Sequence, residues 1–398
     1  YDASVALLWN GSDLDFPPDL PGMDHFHHAI VRVEGGAGLW IDPTVEWGRD
    51  TALPSWDQER WALVVRRAGG GLVRTVAYDQ SANDNTVVLE YFLKDTGRCD
   101  LTETTTWSGS YDLYHRQRHV YADPAKTKRD LESYVKDHYN DAKLDSWTYL
   151  DPNDFSRPFS LTLKISGSFR AYTDLDDAVL YIHLGELMSW LPGPLRTRDA
   201  PARTAPYRQS NPFVVHFVHR IHLPAGFVLR AAPEPVDRML GTVRLRSSSS
   251  VEPGGAVVVR YDLETTRVTL SQQEFEQTRA AVTAFVDQLK PVPVAFDHRA
   301  GLLFGNGSYR EAFDLHRELV RAAPGEAIHE IRLSRALLAA GLGDEARKAA
   351  AQEGAPQVAG APQGSAGRRN VASRSFFSSG IGLILAQMHY RAVPALGV

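Results

Sequence analysis

Short apolar runs, each followed by a turn-forming cluster, are the feature that most constrains the fold of this chain. The runs are rich in β-branched and aromatic residues, and the clusters between them are made of Gly, Pro, Asp and Asn. Runs of this length and spacing are typical of antiparallel strands joined by short connections. They lie at Val5–Trp9, Ala29–Val33, Leu39–Ile41, Trp61–Val65, Leu72–Tyr78, Thr86–Leu93, Asp100–Trp107, Phe159–Ile165, Ala178–Leu184, Val214–Leu223, Thr242–Arg246 and Ala256–Leu263. The pattern predicts a multi-domain α+β protein that is mostly antiparallel β.

Helical signals interrupt this pattern at two places. Asp123 and Pro124 suit the N-cap and the first position of a helix, and apolar residues follow at helical spacing. "SQQEF" at Ser271–Phe275 has the form of a capping box, in which a serine and a glutamate satisfy each other's backbone donors. The proline-rich "KPVPV" at 290–294 then predicts a linker.

A repeat follows this linker. "GSYREA" at Gly307–Ala312 returns as "GLGDEA" at Gly341–Ala346, which is an offset of 34 residues (341 − 307). This is the period of tetratricopeptide helix pairs, whose small residues allow helices to cross closely. The offset predicts a C-terminal α-helical repeat segment at 291–352, and an unrelated helical hairpin is the alternative. The Ala-, Gly- and Pro-rich composition after residue 353 predicts a disordered tail at 353–398.

Composition excludes several classes of function. The 398 residues carry a net charge of −5, and the basic stretch at 196–208 is short and rich in proline, so we expect no nucleic-acid partner. Since no run of about 18 apolar residues occurs, we expect no membrane span. Cys99 is the one cysteine, which rules out an intramolecular disulfide and a cysteine-based zinc site.

The stretch "DHFHHAIVRVEGGAGLWIDPT" at 24–44 is the strongest candidate for a functional site. Read as a hairpin that turns near Gly35, it places His28 and Asp42 on the same face of a sheet, as direct or diagonal neighbours. A carboxylate beside a histidine fixes its tautomer and stabilises its protonated form, as a general base requires. The pair could equally be an ordinary cross-strand hydrogen bond. A metal site using Asp24, His25, His27 and His28 is a third interpretation, although successive strand residues point to opposite sides.

"FHHAIVRV" and "GLWIDPT" resemble the histidine and aspartate segments of bacterial transglutaminase-like proteins of the papain-like cysteine superfamily. The resemblance implies that His28 is the catalytic histidine, that Asp42 orients it, and that no cofactor is needed. It implies a thiol acyltransferase or cysteine protease that acts on amide bonds of a protein or peptide. It also implies that 1–65 is the C-terminal half of the core, that 66–290 is a β-rich accessory region, and that the helical repeats bind a protein partner.

The nucleophilic cysteine of that family lies upstream of the histidine, at the start of a helix. Cys99 lies downstream and has no helical setting, so we do not expect it to be the nucleophile. The chain begins at Tyr1 inside a strand-like run, which predicts a fragment that is inactive alone. A relative without the cysteine, serving as a binding scaffold, is the alternative. The resemblance suggests an exported or periplasmic bacterial protein, while the residues themselves leave the compartment open.

Two further groups of residues have ordinary structural explanations. In "VHFVHRIHL", alternation places His216 and His222 on one face and His219 on the other, which predicts a solvated or cross-strand-paired set. Five tryptophans could line a cleft beside the His28–Asp42 pair, but packing in the core is the better explanation. They are Trp9, Trp40, Trp47, Trp56 and Trp61.

Overall fold

The described residues form a small N-terminal sheet, a large sheet that follows it in sequence, and a C-terminal group of helices. The computed structural model describes residues 2–11, 14–19, 22–35, 38–48, 53–198, 200–209 and 211–351. Its sheets and helices form a multi-domain α+β protein whose strands are mostly antiparallel, as the sequence predicts. The tail predicted at 353–398 lies outside the described residues.

The small sheet has five antiparallel strands in the order β3-β2-β1-β4-β5. These are β1 (Ala3–Leu8), β2 (His28–Val33), β3 (Leu39–Ile41), β4 (Trp61–Val64) and β5 (Gly71–Arg74). Alternation along the strands buries one face, where Ala6, Leu8, Ile30, Ala62 and Val64 form a separate core. His28 and Asp42 have the same parity as this buried set, so both point toward the covered face.

The large sheet has eleven strands, and all of its neighbours pair antiparallel except β6 and β12. Its path is β13-β18-β10-β9-β7-β6-β12-β16-β15-β14, with β8 paired to β9. The strands are β6 (Asp84–Phe92), β7 (Gly97–Trp107), β8 (Lys143–Tyr149), β9 (Phe159–Thr173), β10 (Asp177–Ile182), β12 (Val214–His222), β13 (Phe227–Ala231), β14 (Asp237–Leu240), β15 (Val243–Val251), β16 (Val257–Thr265) and β18 (Val292–His298). A separate ladder joins β11 (Tyr207–Arg208) to β17 (Thr269–Leu270).

Helices cover the large sheet and close its main core. They are α1 (Ser110–Val120), α2 (Pro124–His138), α3 (Leu184–Met188), α4 (Gly193–Arg196) and α5 (Gln272–Asp287). The Asp123 side chain caps α2, and the Ser271–Glu274 capping box begins α5, so both predicted helix starts are confirmed. Helix α1 is not predicted from the sequence, because its buried Asp112 and Arg116 interrupt the apolar periodicity. These two side chains form an ion pair in which the Arg116 Nε and the Asp112 Oδ2 lie 2.8 Å apart.

The linker predicted at "KPVPV" is wrong. Residues 292–298 form β18, which lies inside the large sheet between β13 and β10. Pro293 lies opposite Tyr181 of β10, while β13 pairs only with 295–298. The β13 side of β18 is therefore unpaired at Pro293, as on the edge strands in which a sheet tolerates proline.

The C-terminal helices are α6 (Arg299–Gly305), α7 (Tyr309–Ala322), α8 (Ala327–Ala339) and α9 (Gly343–Ala351). Helices α7 and α9 begin 34 residues apart (343 − 309), the same offset as the sequence repeat. The repeated alanines, Ala312 and Ala346, are both buried. Gly307 and Gly341, which precede them, both adopt a left-handed backbone, with φ of 83° and 78°. The two units therefore share their turn geometry, although membership of the tetratricopeptide family stays a prediction.

Arg332 of α8 joins this helical group to the large sheet. Its buried guanidinium donates hydrogen bonds to the main-chain oxygens of Leu175 (2.7 Å), Asp95 (2.7 Å) and Asp174 (3.1 Å). All three acceptors lie in turns at one end of the sheet. Nearby, the rings of His298 and His316 stack with centroids 5.3 Å apart. The helices are thus attached through polar contacts as well as apolar ones.

Within the described residues, no helix combines the length and the hydrophobicity needed to cross a membrane.

Candidate active site

The β2–β3 hairpin brings His28 and Asp42 together. Val31 pairs with Ile41, so the register runs through residue pairs whose numbers sum to 72. His28, at the start of β2, would lie across from Thr44 on this register, and Asp42 follows the end of β3 as its diagonal neighbour. A diagonal pair on one face lies within reach of a side chain as long as histidine. The juxtaposition follows from the hairpin alone, as the sequence predicts.

The imidazole and the carboxylate make a direct hydrogen bond. The Nε2 atom of His28 lies 3.1 Å from Oδ2 of Asp42. The Asp42 side chain is 1% exposed and the His28 side chain 15% exposed, so the carboxylate lies behind the ring. Among the described residues, Nδ1 of His28 makes no hydrogen bond. The ring therefore has one nitrogen bound to an acid and one nitrogen available.

Thr44 holds the other oxygen of Asp42. Its backbone N–H and its hydroxyl donate to Oδ1 at 2.9 and 2.7 Å. These two bonds explain why a threonine follows the Asp-Pro pair, because the short loop folds its side chain and amide back onto the carboxylate. Oδ1 is thus reserved for Thr44, and Oδ2 faces His28.

These contacts shift the pKa of both groups toward the charged pair. The hydrogen bond to Asp42 raises the pKa of His28 above its usual 6.5, against the opposing effect of burial. Burial would raise the pKa of Asp42, but the hydrogen bonds from His28 and Thr44 outweigh it and lower the value to about 2. Asp42 is therefore ionised at neutral pH and favours a protonated His28.

A third acid, Asp57, completes the cluster and was missed in the sequence. It is fully buried, and its Oδ2 lies 3.7 Å from Nε2 of His28. Among the described residues, neither of its carboxyl oxygens accepts a hydrogen bond. Burial raises its pKa to about 8, with the adjacent Asp42 charge adding to the effect. The sequence signal was weak, since "SWDQER" has neither strand nor helix periodicity.

Several contacts fix the loop that carries Asp57. The Thr75 hydroxyl donates to the main-chain oxygen of Asp57 at 2.6 Å, and the Arg60 N–H donates to that hydroxyl at 2.8 Å. From the β11 strand, the Arg208 guanidinium donates to the main-chain oxygens of Gln58 (2.7 Å) and Ser55 (3.4 Å). Thr75 and Arg208, which are far apart in sequence, therefore hold the same loop.

The metal interpretation, with Asp24, His25, His27 and His28 as ligands, is not supported by the positions of His25 and His27. His25 stacks on Phe16 with centroids 5.2 Å apart, and His27 meets the edge of Trp9 at 4.3 Å. In the described part of the chain, the ligand atoms that converge, within 4.8 Å of one another, are those of His28, Asp42 and Asp57.

The remaining candidates fall into structural roles. Cys99 is buried in β7 with its Sγ 3.4 Å from the main-chain oxygen of Ser168, and burial raises its pKa to about 11. A thiol in this state is a poor nucleophile. Trp40 and Trp47 are buried, as core packing predicts, while Trp9, Trp56 and Trp61 are partly exposed.

The histidines of β12 are paired as predicted. Nδ1 of His216 lies 2.5 Å from Asp262, and Nε2 of His222 lies 2.8 Å from Glu90. His219, on the opposite face, is buried, and burial lowers its pKa to about 3. These side chains stabilise the large sheet.

Comparison with known proteins leaves the family open. No protein-family model matches the chain, and no curated protein matches it. One solved structure that aligns with it is described as a "putative protease" from Parabacteroides distasonis ATCC 8503, at 8% sequence identity and a TM-score of 0.38. The alignment covers 74% of this chain and 40% of that protein, so the chain spans less than half of its length. At this TM-score the likeness identifies neither a family nor an activity.

Proposed function

We propose that the protein supplies the histidine and the aspartate of a cysteine-dependent acyl-transfer site. The observation that carries this proposal is the contact between Nε2 of His28 and Asp42, which leaves Nδ1 without a hydrogen-bond partner among the described residues, on a side chain that is 15% exposed. The resemblance of "FHHAIVRV" and "GLWIDPT" to transglutaminase-like proteins supports the same roles. The substrate class is an amide or peptide bond of a protein or peptide, and transfer and hydrolysis share the chemistry.

Each group has a defined part in the reaction. Nδ1 of His28 takes the proton from a thiol, and the resulting thiolate attacks the carbonyl carbon. The protonated imidazole then gives this proton to the departing amine, which leaves an acyl thioester. An amine or a water molecule next attacks the thioester, with His28 again taking the proton, and the thiol is restored. Asp42 holds the ring in place and stabilises its positive charge throughout.

The thiol has to come from outside these 398 residues. Cys99 is the one cysteine of the chain, and it is buried in the large sheet with a raised pKa. The 398-residue chain alone is therefore expected to be inactive. The proposal assigns residues 1–65 to the catalytic core. The β-rich accessory region then extends to His298, because β18 belongs to its sheet.

The helical group α6–α9 is proposed to bind a protein partner. Its exposed apolar side chains include Ile331, Leu338 and Leu342. This role is separate from the chemistry at His28. It is also what a purely scaffolding protein would use, which makes a scaffold the competing function.

Thiol labelling of the full-length gene product tests the catalytic proposal. The expected result is a cysteine at a helix start upstream of this chain that reacts with iodoacetamide at neutral pH. His28→Ala should slow this reaction by roughly a hundredfold, because the base that removes the thiol proton is lost. His222→Ala, which removes an ion-paired imidazole on the large sheet, is the matched control and should not change it. A gene product without an upstream cysteine, or equal labelling of the His28 variant, would support the scaffold instead.

A further inference from the structure

Two buried carboxyl groups beside one imidazole pose a charge problem. Asp42 and Asp57 are both almost inaccessible to solvent, and their oxygens lie with the His28 nitrogen in a cluster no wider than 4.8 Å. A protonated His28 balances one of the two negative charges, and a second charge this close in a poorly solvated site is disfavoured. A proton on one carboxyl and an added cation are the two ways to remove that second charge.

The hydrogen-bond partners indicate which carboxyl is neutral. Asp42 accepts bonds from Thr44 and His28, so its charge is stabilised at both oxygens. Asp57 accepts none from the described residues, so an ionised Asp57 would be buried without any described donor. A protonated Asp57 instead has a donor of its own to offer, and Asp42 is the acceptor beside it.

We infer, on the basis of the proposed function, that Asp57 is a positioning residue that remains a neutral acid and donates a hydrogen bond to Asp42. This bond adds a donor on the side of Asp42 that faces away from Thr44, and so fixes the direction in which its carboxylate meets His28. Asp57 does not contact the thiol or the substrate. It acts through Asp42, which acts on the imidazole.

The charged groups around Asp57 act on its pKa in opposite directions. His28 on β2 lowers this pKa, Asp42 after β3 raises it, and Arg60, on the same loop as Asp57, lowers it by less than His28 does. The Arg208 guanidinium donates to the main-chain oxygens of Ser55 and Gln58 and lies 3.7 Å from the carboxylate of Glu59. Burial is the largest influence and raises the pKa of Asp57 to about 8, so the proton is retained at neutral pH.

The position of Asp57 depends on the accessory region. Its loop is held from one side by Thr75 and from the other by Arg208, which lies 150 residues further along the chain than Gln58. A carboxyl that must meet Asp42 at hydrogen-bond distance needs a rigid loop. The Arg208 bonds therefore give the accessory region a part in aligning the catalytic pair.

The test uses the 398-residue chain and follows the imidazole of His28 by NMR titration. Asp57→Asn keeps a neutral group with an N–H donor, so the pKa of His28 should equal that of the wild type. Asp57→Ala removes the donor, which makes Asp42 a stronger acceptor for His28, and the pKa of His28 should rise. If Asp57 were ionised, both variants would remove a neighbouring negative charge, and both would lower the pKa of His28, by about one unit or more.

Two controls make the outcome unambiguous. Infrared difference spectra should show a protonated carboxyl band at neutral pH that disappears in Asp57→Asn, which decides the question even if the alanine variant fails to fold. A stoichiometric divalent cation in the purified protein, whose removal by EDTA shifts the His28 resonances, would overturn the inference in favour of a metal. None of these readouts needs the thiol, so they stand whether or not the thiol-labelling test succeeds.

Discussion

Thr44 donates two hydrogen bonds to one oxygen of Asp42 and leaves the other oxygen to His28. The carboxylate is therefore fixed at both ends by residues of a single hairpin. Both partners lie within 16 residues of each other in sequence (44 − 28), so these three hydrogen bonds are formed inside the hairpin. Its contribution can be measured by changing Thr44 alone.

Thr44→Val should raise the pKa of Asp42, because the hydroxyl donor that stabilises its charge is lost. The folded-state pKa is about 2 against an ordinary 3.8, so the associated stability is present above pH 4 and is lost as the pH falls toward 2. We expect unfolding in urea at pH 6 to show a loss of about 1 kcal/mol, which shrinks toward pH 2. Thr44→Ser keeps the hydroxyl and should match the wild type, and an equal loss in both variants would contradict the role of this bond.

Asp57→Asn should change how stability depends on pH. The folded-state pKa of Asp57, about 8, lies above its ordinary 3.8, so the folded protein holds one proton more than the unfolded chain between these values. This makes wild-type stability decline as the pH rises from 4 to 8, by up to about 1.4 kcal/mol per pH unit. The asparagine variant lacks this pH-dependent contribution to stability, because its side chain does not titrate. In urea unfolding, the free energy of unfolding of the variant should therefore increase relative to that of the wild type as the pH rises. Parallel curves of this free energy against pH would mean that Asp57 is ionised.

Arg208→Ala should loosen the loop that carries Asp57. The change removes hydrogen bonds to two main-chain oxygens in a buried setting, and we expect a loss of about 1–3 kcal/mol. Hydrogen exchange should increase at residues 55–60 more than in the large sheet. Arg244→Ala, which breaks an exposed pair with Asp237, is the control and should leave the loop unchanged. Uniform destabilisation without a local increase at 55–60 would argue against a specific link.

Arg332→Met should weaken the attachment of the helical group to the large sheet. Methionine keeps much of the apolar stem but leaves the main-chain oxygens of Asp95, Asp174 and Leu175 without this donor. We expect limited proteolysis to cleave near 299–308 and to release α7–α9 while the large sheet stays protected. Arg321→Met, on the exposed side of α7, serves as the comparison. Resistance of the Arg332 variant to cleavage would show that apolar packing alone holds the helices.

Cys99 should be unreactive in the folded protein. Burial and a raised pKa both lower the fraction of thiolate that solvent reagents can reach. Ellman's reagent should modify it at the rate of unfolding, and addition of urea should accelerate the reaction. Rapid modification in the native state would place the thiol at the surface and would reopen its role as a nucleophile.

The hairpin at 28–42 could be predicted because its determinants are local. The glycines of the turn and the alternation of the strands fix the register, and the register places His28 and Asp42 on one face. The starts of α2 and α5 were predictable for the same reason, since Asp123 and Ser271 act on amides two or three residues away. The catalytic role of the pair is a separate matter, which neither the register nor the caps decide.

Asp57 and β18 could not be predicted because their partners are distant in sequence. Asp57 owes its environment to Thr75 and Arg208 as much as to its neighbours. The two prolines in "KPVPV" predict a linker. Pro293 is tolerated in a strand because β13 pairs no further than Ala295, and this cannot be known from the local sequence. Arg116 of α1 is similar, since its charge is buried against main-chain oxygens 36 to 41 residues away.

The late position of β18 in the chain has a consequence for biosynthesis. This strand lies between β13 and β10, both of which leave the ribosome well before it. Until residues 292–298 emerge, β10 is an unpaired edge and β13 has no neighbouring strand in the sheet, so the backbone groups of both can pair with other chains. A product that stops between α5 and β18 should therefore aggregate or be held by chaperones, while one that stops after His298 should be soluble without its helices.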